Sequence, residues 1–145
     1  MILDAKLEMS DGQALGAISA TSSVVSTNAI DLGANGKDGW GVAKTMDIGE
    51  GGTLSWVVQV AVALVGASAS LSVTLVTKAA DKSVSSAGTT VATLTIAALA
   101  AAGTKASVKV PSGAIQRYVG TLYTAVTGSL TSATMDSFLT WSQQT

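Results

Sequence analysis

Leu71-Ser72-Val73-Thr74-Leu75-Val76 alternates apolar and polar side chains, and the habit returns in Val91-Ala92-Thr93-Leu94-Thr95-Ile96 and in Lys105-Ala106-Ser107-Val108-Lys109-Val110. A period of two belongs to a strand with one buried face, because successive side chains leave a strand on opposite sides. In the third stretch Ala106, Val108 and Val110 point inward, and Pro111, which donates no ladder bond, ends it. A Ser/Gly/Thr loop at residues 83–90 separates the first two stretches. Residues 54–60 are apolar on both parities, which predicts a strand covered on both faces. Residues 116–126 and 135–141 supply two more strands, with Trp56, Phe138 and Trp141 inside strands as core or interface residues.

Toward the N-terminus, Leu3, Ala5, Leu7 and Met9 alternate with Asp4, Lys6, Glu8 and Ser10, and Asp11-Gly12 then reads as a turn. Charges on one side suit an edge strand. Residues 24–32 form a β-prone stretch closed by Gly33 and the turn pair Asn35-Gly36. Residues 33–52 hold seven glycines, with Trp40 between Gly39 and Gly41. They predict one long excursion, in which Trp40 is either an anchor for a partner or a lid on the domain's own core. The alanines of 97–102 followed by Gly103 predict one helical turn with a glycine stop. About eight short strands without a recurring helix predict an all-β, antiparallel, jelly-roll-like sandwich with a long glycine-rich loop. An immunoglobulin-like sandwich is the nearest competitor, without the Cys, Trp, Cys signature. Residues 1–145 are expected to form a single domain, with 1–20 as an N-terminal edge strand or arm.

The composition limits the chemistry. The chain has 145 residues, 48% of them hydrophobic, with no cysteine, no histidine and a net charge of −1. Without cysteine there is no disulfide or thiolate, and without histidine neither the commonest metal ligand nor a Ser-His-Asp relay. A near-neutral chain lacks the dense basic face that nucleic acid rewards. The longest apolar stretch, residues 56–67, falls short of the roughly 20 residues that cross a bilayer. The first residues lack a secretory signal, so a soluble protein made in the cytoplasm is expected. The charge is uneven: residues 1–50 carry net −4 and the remainder net +3, an asymmetry able to steer a head-to-tail or lattice contact.

The nine carboxylates show no local grouping that places two on one face of a site, and Asp47 with Glu50 offers too few oxygens for calcium. The glycines match neither GxGxxG nor GxxxxGK[ST]. A Ser-Lys pair stays open on sequence alone. Arg117-Tyr118 and Tyr123 resemble an aromatic and basic interleaving only locally; core rings and a solvated or ion-paired arginine explain them better.

Met1-Ile2-Leu3-Asp4-Ala5 with Leu7-Glu8-Met9-Ser10-Asp11, then Ser26-Thr27-Asn28-Ala29-Ile30-Asp31-Leu32-Gly33, resembles a family of tailed-bacteriophage capsid cement (decoration) proteins. The resemblance continues through Asp47-Ile48-Gly49, Val57-Val58-Gln59-Val60, residues 71–77, 117–123 and 137–143; it departs from the family pattern at residues 36–45, which are longer and contain Trp40. It implies a jelly-roll protein that forms dimers or trimers on the outer surface of an icosahedral head and ties major capsid protein subunits together, with no enzymatic residues and no cofactor. The expected capsid or subunit contacts are Leu3, Asp4, Lys6 and Leu7 in the arm and Trp40 in the loop, with no nucleic-acid or membrane partner. The alternative is a carbohydrate- or receptor-binding sandwich of a phage tail or fibre, which needs an aromatic platform for which Trp40 is the obvious candidate. A small hydrolase ranks last, for want of histidine.

Overall fold

The computed structural model describes residues 7–20, 22–32, 36–37, 43–44, 54–66, 69–79, 84, 87–111 and 113–140. Its strands are β1 (Glu8–Ala14), β2 (Ser23–Val25), β3 (Ile30–Asp31), β4 (Gly36–Lys37), β5 (Ala43–Lys44), β6 (Ser55–Gly66), β7 (Leu71–Lys78), β8 (Thr89–Ile96), β9 (Lys105–Lys109), β10 (Tyr118–Ala125) and β11 (Leu130–Thr140).

The pairing is nested. β1 pairs with β11, β2 and β3 with β10, β6 with β9, and β7 with β8, every pair antiparallel. The chain is therefore one two-stranded ribbon with the β7–β8 hairpin at its tip. Coiling the ribbon sends its rungs alternately to two sheets, which the pairs β11·β6 and β10·β7 complete. The sheets run β1-β11-β6-β9 and β2-β10-β7-β8, with β3 also on β10. Because β2 and β3 are two pieces of one strand position, eight positions result, and the architecture is a jelly roll. In the glycine-rich stretch, β4 and β5 make a small ladder of their own.

The alternation puts the core between the sheets. Trp56, Val58 and Val60 from β6 and Met135 and Leu139 from β11 meet Leu71, Val73 and Leu75 from β7 and Val119 and Tyr123 from β10, all fully buried. Each such apolar side chain stabilises the fold by roughly 1.5–3 kcal/mol. A satellite cluster joins Val76, Val84 and Tyr118.

The structure corrects four local expectations. Asp11-Gly12 is no turn: β1 runs through it, and the register steps from Ser10 opposite Ser137 to Gln13 opposite Met135, one extra residue on β1. Gly12 takes the left-handed conformation of this bulge (φ 53°), and its N–H donates to Asp136 Oδ1 at 2.7 Å. Residues 24–32 are interrupted because Ser26 Oγ bonds Asn28 O and accepts the Thr121 N–H, leading the chain away from β10. Residues 97–102 are not helical; two tight turns close with Ala100 N to Ala97 O and Thr104 N to Ala101 O, with Leu99 (φ 56°) and Gly103 (φ 87°) left-handed. Ladder bonds to β6, from Leu64 N to Ala100 O and from Val60 N to Thr104 O, win over a helical turn too short to sustain itself. Finally, β6 is fully covered only on its inner face, Val57 and Gln59 being half-buried.

Candidate functional site

Of the expected contact residues, Leu7 stands immediately before β1, half-buried and packed against the core. Leu3, Asp4, Lys6 and Trp40 lie outside the described residues, as does Trp141. What the described residues offer is a sealed interior and a differentiated surface.

The interior holds a strip of hydroxyls between the sheets. Trp56 Nε1 donates to Ser137 Oγ at 2.9 Å, and Ser137 Oγ shares a 2.7 Å bond with Thr121 Oγ1. Tyr123 Oη donates to Ser10 Oγ, which donates to Gln13 Oε1. Ser10, Thr121 and Ser137 are fully buried. Among the described residues only Ser55 Oγ is buried without a hydrogen-bond partner. Burial pushes the Tyr123 phenol up to about 12, against the pull of its bonds to Ser10 and Ser137, so it stays protonated at neutral pH. The bonds of the strip satisfy polar groups that would be costly to bury unpaired between the sheets. Sequence reading missed it, yet a signal existed: Ser137 shares the inward parity of Met135 and Leu139, and Thr121 that of Val119 and Tyr123.

The same strip laces one side of the sandwich. Gln13 Nε2 donates to Val25 O at 2.8 Å, Gln13 Oε1 accepts from Thr27 N at 2.9 Å, and Asn28 N donates to Met9 O at 3.0 Å. These bonds join the β1 edge of one sheet to the β2 edge of the other.

Outside, β1·β11 pairing brings together carboxylates that sequence separation kept apart. The Glu8 carboxyl is raised above its ordinary value, first by partial burial and then by the negative charges of Asp11 and Asp136. Among the described residues no three acids converge to hold a metal ion. Arg117 grips Asp31 with two bonds, Nε to Oδ1 at 2.9 Å and Nη2 to Oδ2 at 3.1 Å, and lies 4.7 Å from the Tyr118 ring centre. That bond to Asp31 raises the guanidinium further. It is thus an ion-paired arginine, one of the two roles expected of it. Large apolar side chains stand in water at Val62 (58% exposed), Val65 (51%), Leu99 (67%) and Val126 (52%). The bond from Leu64 N to Ala100 O ties the turn that carries Leu99 to β6.

The polar interior and the nested ribbon define an all-β jelly-roll sandwich. The chain belongs to the Bbp16 family, whose model matches residues 9–139, from β1 to the end of β11. No curated protein matches it.

Proposed function

We propose that this protein is a non-enzymatic structural component of a phage virion, which binds the outside of an icosahedral head, assembles there as a small homo-oligomer and reinforces contacts between major capsid subunits. The observation that carries the reading is the division of labour just described: buried polar side chains are spent on one another, while apolar groups such as Leu99, Val65 and Val62 stay in water. Large apolar side chains held in water are better suited to a macromolecular partner than to a small substrate. Leu99 adds a second sign, since a bulky residue in the left-handed region costs about 1–2 kcal/mol and holds an apolar side chain outward. A capsid lattice multiplies modest identical contacts into firm attachment. The resemblance noted in the sequence supports the same reading, with the arm residues Leu3, Asp4, Lys6 and Leu7 and the loop residue Trp40 as further contacts.

Co-sedimentation with heads assembled from the capsid protein of the same phage tests the proposal. Saturable binding at a fixed copy ratio, with heads more resistant to heat, is the expected result. Binding lost on deleting residues 1–6, which leaves β1 (Glu8–Ala14) intact, would assign the arm to the interface, and binding lost with Leu99→Asp would assign the Leu99 turn. Absence of binding to mature heads would overturn the reading.

A further inference from the structure

An aspartate followed by glycine can turn on its own backbone, because glycine has no side chain to obstruct the approach of its nitrogen to the carboxyl carbon before it. The sequence holds two such pairs, Asp11-Gly12 and Asp38-Gly39. Asp11-Gly12 sits in the β1 bulge with both residues exposed, and no atom stands within 4 Å of the place a Gly12 Cβ would take. Water and space are therefore at hand. What restrains the pair is the bond from Gly12 N–H to Asp136 Oδ1 at 2.7 Å, a charge-assisted contact from β1 to the neighbouring β11.

From this arrangement we infer that Asp11 is a latent site of backbone isomerisation, and that Asp136 holds it closed. In the first step Gly12 N bonds to Asp11 Cγ and the Cγ–OH bond breaks. The hydroxyl leaves as water with the amide proton, and a cyclic succinimide remains. Water then opens the ring. Addition at Cγ restores aspartate, whereas addition at the Asp11 main-chain carbonyl breaks its bond to Gly12 N and leaves isoaspartate, with the main chain running through the side chain. The water lost in the first step is regained in the second, and no other reactant enters.

The Asp136 bond opposes the first step in two ways. It fixes the Gly12 amide toward β11, while attack requires the nitrogen to face Asp11. It also sets a carboxylate oxygen against the nitrogen that must lose its proton. An amide anion 2.7 Å from that oxygen is disfavoured by charge repulsion, and a carboxylate is too weak a base to remove the proton itself.

The consequence of failure follows from the neighbours. Ser10 Oγ accepts from Tyr123 Oη, and Gln13 ties β1 to Val25 O and Thr27 N. Isoaspartate adds one carbon to the main chain between Ser10 and Gln13, so the two residues cannot both keep these partners. Modification would release β1 from the β2 side, and each local opening that parts β1 from β11 exposes the pair to it. The inference concerns the chain itself and is independent of capsid attachment.

The test holds folded full-length protein at neutral pH in the warm for several weeks and reads isoaspartate in tryptic peptides by electron-transfer fragmentation. Cleavage after Lys6 and Lys37 puts Asp11 and Asp38 on separate peptides, so Asp38-Gly39 serves as the reference. Asp136→Ala should raise the rate at Asp11 about tenfold, the worth of one charge-assisted bond, and leave the rate at Asp38 unchanged. Asp136→Asn keeps an oxygen acceptor without the charge and should fall between. Asp11→Glu should remove the product at that position in either background, because its longer side chain closes a less favourable ring. A rate at Asp11 that is unmoved or lowered in Asp136→Ala protein of native circular dichroism would overturn the inference. Should that variant lose its fold, an Asp136→Asn rate equal to that of the unaltered chain would overturn it instead.

Discussion

The two long sides of this sandwich are built on different principles. On the β1/β2 side the Gln13 side chain and the backbone amides of Thr27 and Asn28 stitch one sheet to the other, and Met9 is sealed beneath them. On the β8/β9 side the sheets approach without a hydrogen bond among the described residues, and the core side chains there stay partly wet. The contrast shows that one jelly roll can spend polar side chains to close an edge and leave the opposite edge to backbone and apolar contacts.

The sharpest way to break the comparison is to excavate both sides. Met9→Ala removes a fully buried side chain and should cost about 2–5 kcal/mol in urea unfolding, whereas Leu94→Ala, half-buried at the open edge, should cost about 1 kcal/mol in the monomer. Equal costs would erase the distinction.

Alkaline titration probes the closed side next. Tyr123 is raised to about 12 from 10.0. Its contribution is therefore complete below pH 10, where both folded and unfolded phenols are protonated, and is lost as pH rises from 10 toward 12, while the unfolded phenol ionises first. That loss should be on the order of 2 kcal/mol, read as a falling urea midpoint between pH 9.5 and 11.5. Tyr123→Phe should flatten the fall.

Gln13→Ala removes the two bonds that tie β1 to the β2 side, to Val25 O and from Thr27 N, and the bond it accepts from Ser10 within β1. The expected cost is about 1–3 kcal/mol, with faster amide exchange at Thr27, whose N–H loses its acceptor. A loss below the resolution of the measurement would mean that water replaces the stitch.

The smallest effect belongs to Glu8. Its folded-state value is raised, so the favourable protonated form is present at low pH and is lost as pH rises through that value. At neutral pH its charge is a mild liability beside Asp11 and Asp136. Glu8→Gln should stabilise the fold by about 0.3 kcal/mol at low salt and by less at high salt.

Much of this architecture was legible beforehand. The two-residue alternation at 71–76, 91–96 and 105–110 named three strands and the inward faces of their side chains, because burial on one face writes that period into the sequence. The Asp11-Gly12 bulge was not legible: a left-handed glycine serves a turn and a bulge equally, and only the distant β11, with Asp136 waiting for the Gly12 N–H, decides between them. The alanines at 97–102 misled for a similar reason, since their helical propensity is small beside ladder bonds to β6. The grouping of Glu8, Asp11 and Asp136 depends on β1 pairing with β11 across more than a hundred residues, which local patterns do not encode; the hydroxyl strip left a trace only in the inward parity of Thr121 and Ser137. Of the expected contacts, only Leu7 falls where the structure describes it.

The nesting of strands also sets a timetable. β1 is made first and its partner β11 last, so on the ribosome the opening strand must wait for almost the whole chain before it can pair. The β7–β8 hairpin is the earliest rung of the ribbon that can close, and the others zip outward from it toward the ends, each enclosing a longer loop than the one before. Such a fold is completed only once β11 is available, at a pace governed by these distant closures, and a chain stalled before residue 130 leaves β1 without its partner strand.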